Sequence, residues 1–276
     1  MNLYHYTDQN GFLGILENKE IWATKIQYLN DAKEYHLAKE IAERALKSLL
    51  RSPEYKNDHF RIERFIYNLD NYIGNNLCVS SFSEEGDLLS QWRGYSSSQG
   101  GYSIGFEKEA LEMMINKEGF NLERCIYKEL DQVRKVSDVI FESLDRFRGC
   151  MEPNQDFVEG SSDSTSYFLD KLSYLSSFIK DSSFSEEKEW RIVALVRFDD
   201  LDFRPGKSSI IPYKKIKIED YLPEVVSDIF IGHTPSPQLA IQATTCFLIK
   251  HYPMMVDNSL EHPFSVRESK IPYRSW

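Results

Sequence analysis

Two glutamates and a histidine hold the most reactive chemistry in this chain of 276 residues. Glu187-Lys188-Glu189 leads into Trp190-Arg191-Ile192-Val193-Ala194-Leu195-Val196, an apolar, β-branched run that reads as a central strand. Strand side chains alternate, so if Trp190 and Ile192 face the core, Glu189 and Arg191 project together from the opposite face. Glu187 joins them if the strand extends back. An ionised carboxylate there could stabilise a developing positive charge. Far upstream, Leu3-Tyr4-His5-Tyr6-Thr7 supplies hydrogen-bonding groups that could orient a ligand. Phe82, Trp92 and Tyr95 offer flat faces to a planar ring, and Arg93 and Arg191 carry forks that match phosphate oxygens. Each group also has a plainer use. His5 can be a hydrogen-bonded structural histidine, the Ser185–Glu189 acids can be solvated, and Trp92 can be core. Arg93 and Arg191 can close buried ion pairs with Asp31 or with the glutamates.

The elements that must position these groups follow from periodicity. Leu3 to Tyr6 reads as a strand, Asp8 as the N-cap of a helix through Leu16, and Glu20–Thr24 as a second strand. Asn30-Asp31 reads as a helix start, with Leu37, Ile41, Ala45 and Leu49 repeating along it, and Phe60–Ile73 as a further helix. Then come a strand at Leu77–Phe82, a short helix at Leu88–Arg93 and a strand at Tyr102–Phe106 after Gly100-Gly101. A strand is expected around Cys125–Tyr127, with helices at Asp131–Arg148 and Ser164–Ile179 and a polar loop between them from Met151. Strands at Ser208–Tyr213 and Val225–Ile231 and a helix at Pro237–His251 complete the order. Strands broken irregularly by helices imply an α+β fold with a mixed or antiparallel central sheet. No long linker divides the chain, so one domain over residues 1–276 is expected, with a helical insertion at about 30–75.

Composition narrows the classes. At 41% hydrophobic and 13% aromatic residues the chain can fill a core, and no apolar run nears the roughly 20 residues of a membrane span. The first residues do not form a signal peptide pattern, and Cys78 and Cys246 lie in apolar runs that read as core, so a cytoplasmic setting is expected. The four cysteines are too scattered for a metal site. A net charge of −10 argues against strong nonspecific nucleic-acid binding. The basic cluster of Lys214, Lys215 and Lys217 reads as a solvated strand edge.

Several motifs together resemble a bacterial family, domain of unknown function 2971, along nearly the whole chain. They are Leu3-Tyr4-His5-Tyr6-Thr7, Tyr28-Leu29-Asn30-Asp31, Ser81-Phe82-Ser83-Glu84, Leu88-Leu89-Ser90-Gln91-Trp92-Arg93-Gly94-Tyr95, Glu187-x-Glu189-Trp190-Arg191, Ile229-Phe230-Ile231-Gly232 and Ile271-Pro272-Tyr273-Arg274. Tyr4-His5-Tyr6-Thr7 is also similar to the first-strand His-x-Thr segment of the ADP-ribosyltransferases. Val79–Ser83 leading to Gln91-Trp92-Arg93-x-Tyr95 is similar to their second block, and Glu187-x-Glu189 to the third, acidic one. Tyr6 stands where a Gly is common in the polymerases of that superfamily. This resemblance implies an ADP-ribosyltransferase-like sheet and NAD as a substrate, with no metal. Glu189 and its neighbour Glu187 would be catalytic, and His5, Tyr6, Thr7, Ser81, Phe82, Trp92, Arg93, Tyr95 and Arg191 would hold NAD. It further implies a toxin or phage-defence effector acting on a macromolecular or small-molecule acceptor. NAD hydrolysis and a non-catalytic nucleotide-binding or interaction protein are the alternatives.

Overall fold

Alternation and capping build the start of the chain as its sequence suggests. The computed structural model describes residues 1–29, 33–69, 76–96, 100–148, 157–206, 208–218, 225–252 and 265–272. β1 (Asn2–Asp8) ends at Asp8, whose carboxylate accepts the Gly11 N–H at 2.8 Å and so caps α1 (Gln9–Asn18). Phe12, Ile15 and Leu16, at helical spacing, bury one face of α1. Lys19, in the left-handed region at φ 55°, stops the helix and turns the chain into β2 (Glu20–Lys25).

Two helices follow, α2 (Lys33–Leu50) and α3 (His59–Leu69). After them come β3 (Leu77–Ser83), α4 (Leu89–Tyr95), β4 (Gly101–Glu107), α5 (Lys108–Lys117) and β5 (Asn121–Arg124). Next are α6 (Glu129–Arg148), α7 (Phe157–Ser176), β6 (Glu189–Leu195), β7 (Asp202–Pro205) and β8 (Ile210–Lys217). β9 (Val226–Ile231), α8 (Pro237–His251) and β10 (Ser265–Glu268) complete the described chain.

The ten strands among the described residues join one mixed sheet, in which β9 and β10 are a parallel pair and the other pairings are antiparallel. β3 is its hinge. One edge of β3 pairs with β6 from Leu77 to Ser83, and β5 lies beyond β6. The other edge is shared: β1 touches it at Tyr4↔Ser83, and β2 at Thr24↔Val79 and Lys25↔Cys78. Two strands cannot occupy the same stretch of edge, so β1 and β2 part between those contacts. One wing, β10-β9-β4-β1, and another, β2-β8-β7, diverge from β3 and leave a gap opposite Ser80 and Ser81.

The main apolar core lies on the face covered by α1, α5 and α8, with Leu3, Ile21, Phe82, Phe106 and Ile192 contributed by the strands. A second core joins α2 and α3 to α6 and α7, where the Phe65 and Phe168 rings stack at 4.4 Å. The helical insertion is therefore packed against a later pair of helices. Leu77, Val79, Val193 and Phe178 form a small third cluster that ties the sheet to the end of α7.

Several expectations shift. The strand placed at Cys125–Tyr127 lies earlier, at Asn121–Arg124, because Gly119 at φ +77° allows the turn and Leu122 is the only inward side chain of a polar stretch. Ile126 keeps only a bridge to Ile179. The loop placed from Met151 to Ser164 is helical from Phe157 onward. Ser208 and Ser209 belong to a turn, and the strand that follows runs on to Lys217. Beyond Tyr213 that strand pairs, among the described residues, only with β2, so its lysines flank an edge that no described strand covers. Cys246 is exposed on α8, since helical spacing turns it away from the buried Thr244 and Leu248. The proposed helix start at Asn30-Asp31, the end of the helix expected to reach Ile73, and Cys150 lie outside the described residues.

Tyr6 shows how the first wing is fixed. Its buried hydroxyl donates to the Glu85 carbonyl at 2.6 Å and accepts the Leu88 N–H at 3.0 Å, while its ring packs edge-on to Trp92. It thus pins the loop that delivers α4. Tyr6→Phe strands both backbone groups and is expected to cost about 1–3 kcal/mol. A urea midpoint equal to that of the parent protein would show that these bonds carry no such weight.

Candidate functional site

The gap between the wings opens into a cleft of about 790 Å³. His5, Thr7 and Gly11 line it from the first wing and α1, and Trp22, Thr24 and Arg204 from the second. Ser80 and Ser81 of β3 and Glu189 and Arg191 of β6 line it between the wings, with Gln91 and Tyr95 from α4. Of the residues singled out from sequence, the structure brings His5, Tyr6, Thr7, Ser81, Tyr95, Glu189 and Arg191 to this one cleft. Phe82, Trp92, Arg93 and Glu187 are not among its lining residues. Phe82 is core, packed against Phe106. Trp92 is fully buried and its indole donates to Asp87 at 2.7 Å. Arg93 is on the exposed side of α4. Glu187 is held by Lys180 at 2.6 Å.

His5 and Glu189 reach the cleft from different sides. Tyr4, Ser83 and Glu189 are successive cross-strand partners and share a face. His5, next to Tyr4, belongs to the other face, where its ring meets Phe82. The gap makes both accessible to one cavity. There His5 Nδ1 lies 2.9 Å from the Ser81 carbonyl, on the stretch of β3 that neither wing pairs. A carbonyl only accepts, so Nδ1 carries the proton and a neutral ring keeps Nε2 as an acceptor. Burial pushes the His5 pKa below its ordinary value, and the Ser81 bond only partly offsets this. Thr7 lies so close to α1 that a Cβ on Gly11 would fall 1.8 Å from its Oγ1. Glycine at that position lets the threonine sit in the crevice between strand and helix.

Glu189 is the centre of a buried ion cluster. Its Oε1 accepts Arg191 Nε at 2.7 Å, and its Oε2 accepts Lys180 Nζ at 2.5 Å and an Arg191 terminal nitrogen at 3.2 Å. Arg191 also donates to the Ser177 carbonyl at 2.7 Å. The Lys180 and Arg191 side chains are each only 1% exposed. Burial alone would raise the Glu189 pKa, but Arg191 and then Lys180 reverse this and hold it at about 2. Burial likewise opposes charge on Lys180, and Glu189 and Glu187 overcome it, so its pKa lies above the ordinary lysine value.

Backbone pairing explains the convergence. Cys125 N–H donates to the Glu189 carbonyl at 2.9 Å and Ile126 N–H to the Phe178 carbonyl at 2.7 Å, so this segment clamps the end of α7 beside β6. Gln132 then donates to the Ile126 and Lys180 carbonyls at 2.7 and 2.8 Å. Sequence reading had Glu189 and Arg191 side by side but missed Lys180, whose only signal is a charge at the end of the apolar Phe178-Ile179 pair. It also missed Trp22, Thr24 and Arg204, because no local pattern shows which strands will face each other across a gap. Among the described residues no group of three or more His, Cys, Asp or Glu side chains forms a metal site.

The cluster makes a prediction about acid stability. The folded-state pKa of Glu189 is lowered, so its contribution is present above the ordinary carboxylate range near about 4.3 and is lost as pH falls toward about 2. Lys180→Met breaks a buried pair and is expected to cost about 3–5 kcal/mol at neutral pH. In Glu189→Gln the part of the acid slope between roughly pH 5 and 2 that belongs to this carboxyl should vanish. Urea titrations across that range that show the parent slope unchanged would contradict the assignment.

No helix among the described residues is long and apolar enough to cross a membrane. No curated protein matches the chain, and no solved structure does either. The family resemblance holds over a shorter stretch than the motifs suggest: the segment from Gln91 to Ile192, which carries most of α4 and the first half of β6, matches the family described as a protein of unknown function, DUF2971.

Proposed function

We propose that the cleft binds NAD and that the protein is an ADP-ribosyltransferase-like enzyme, acting as a toxin or defence effector in the cytoplasm. The observation that carries this reading is the meeting of His5, Thr7, Ser81, Glu189 and Arg191 in one cleft at the split of the sheet. These residues come from β1, β3 and β6, the strands that supply the three blocks resembling that superfamily. The reaction would break the bond between the ribose C1′ and the nicotinamide nitrogen. The bonding pair leaves with nicotinamide, which departs neutral, and the sugar becomes oxocarbenium-like. An acceptor then donates a lone pair to C1′ and loses a proton. Glu189 is ionised at neutral pH and three hydrogen bonds occupy its oxygens, so one acceptor position on Oε1 is left for a ribose hydroxyl. His5 and Thr7 would orient the sugar from the first wing.

A second reading has its own observation. Lys180 and Arg191 already neutralise Glu189, and a carboxylate so engaged offers less field to a cationic sugar. That arrangement favours a nucleotide-binding protein without turnover. Hydrolysis, with water as the acceptor, is the enzymatic alternative.

Mass-spectrometric detection of nicotinamide after incubation with NAD and cell lysate separates the two. An enzyme should release nicotinamide, and Glu189→Gln should slow release by roughly two orders of magnitude or more while NAD binding changes little. Binding of NAD without release, in the parent protein and with lysate present, would establish the second reading instead.

A further inference from the structure

Arg191 and Arg204 are the arginines that line the cleft, and they are differently committed. Arg191 has its fork on Glu189 and the Ser177 carbonyl, and almost none of it is exposed. It cannot turn to a phosphate without abandoning a buried carboxylate. Arg204 has no carboxylate partner among the described residues. Asp202, two residues before it on β7, pairs with Lys215 instead. The Arg204 guanidinium lies over the rings of Trp22 and Tyr213, at 5.5 and 5.7 Å from their centroids, and one terminal nitrogen donates to Thr24 Oγ1 at 2.9 Å. Its Nε is shut off from solvent with no acceptor. Ser208 and Ser209, exposed in the turn between β7 and β8, line the same end of the cleft.

A half-buried cation that is held in plane by two aromatic rings and one hydroxyl, yet has no anion among the described residues, is incompletely satisfied. The geometry points to Arg204 as the anchor for the phosphoryl groups of a nucleotide ligand, with Trp22 and Thr24 as the residues that position it. The inference rests on the cleft's being a nucleotide site and names the cation that would hold the diphosphate there. A planar guanidinium can present two parallel N–H bonds to phosphate oxygens, whereas a lysine would offer only a point charge. The anchor lies on the second wing, across the gap from His5, so a bound dinucleotide would span both wings.

Equilibrium titration of ADP-ribose, ADP and nicotinamide riboside against the parent protein, Arg204→Gln and Arg204→Lys tests this. Arg204→Gln should weaken ADP-ribose and ADP by about tenfold or more and leave the phosphate-free riboside within about twofold, with Arg204→Lys intermediate. Equal losses for all three ligands, or ADP-ribose affinity unchanged in Arg204→Gln, would overturn it, as would a parent protein that binds no ADP-ribose. Thermal melts of each variant report any loss due to the aromatic packing alone. Nicotinamide release by the same preparations keeps the two readings apart. ADP-ribose held through Arg204 without release would sink turnover only, whereas release with an unchanged KM in Arg204→Gln would sink the anchor only.

Discussion

The shared edge of β3 is the constraint from which the rest of the architecture follows. A buried strand must pair its backbone groups, and β6 satisfies one edge from Leu77 to Ser83. On the other edge β1 and β2 each take one end, and the stretch between is left to side chains. His5 supplies the donor for the Ser81 carbonyl. A histidine serves here because it reaches across a distance that a strand backbone would otherwise close. It places a polar ring in the wall of a cavity while it completes the sheet. The hydrogen bond that completes the sheet leaves the ring in the cleft wall, so the plainer use of this residue does not compete with the proposed one.

The same is less true of Glu189. Its two cations offset the cost of burying a carboxylate next to the cleft, and the cluster of Lys180, Glu187, Glu189 and Arg191 carries formal charges that sum to zero. Such a cluster is stable because it is balanced, and a balanced cluster projects little field. The anticipated rival use of Arg191, an ion pair with one of the glutamates, is the arrangement found. The cleft arginine without a carboxylate partner among the described residues is instead Arg204.

Much of the frame was legible because it is local. The Asp8 cap, the burial of Phe12, Ile15 and Leu16, the span of α8 and the alternation that puts Glu189 beside Arg191 all depend on neighbours within a few residues. The parts that stayed hidden depend on pairing between distant strands. Nothing near Thr24 marks it as the partner of Arg204, 180 positions away. β7 and β10, each four residues long and half-exposed, lack the apolar period that would announce them. Phe82, Trp92 and Arg93 were expected at the site for their flat faces and phosphate-matching fork, and for their place in the second resembling block. In a strand, however, Phe82 must point away from Ser81, and on α4 the turn that brings Gln91 and Tyr95 to the cleft sends Trp92 into the packing against Tyr6.

The two walls of the cleft are chemically unlike, and this bears on the direction in which a ligand would lie. With its Nδ1 proton committed to Ser81 and its pKa lowered by burial, His5 is a neutral ring whose remaining nitrogen accepts hydrogen bonds. An acceptor suits a hydroxyl and repels a phosphate oxygen. Thr7, on the same wing, can donate or accept. Arg204 on the opposite wing only donates, and its charge favours an anion. Glu189, between them, is an acceptor and is anionic at neutral pH. Under the proposed nucleotide reading, a molecule with hydroxyls at one end and phosphates at the other would lie with its sugar toward β1 and β6 and its phosphates toward β7. A ligand without that asymmetry would leave one wall or the other unsatisfied.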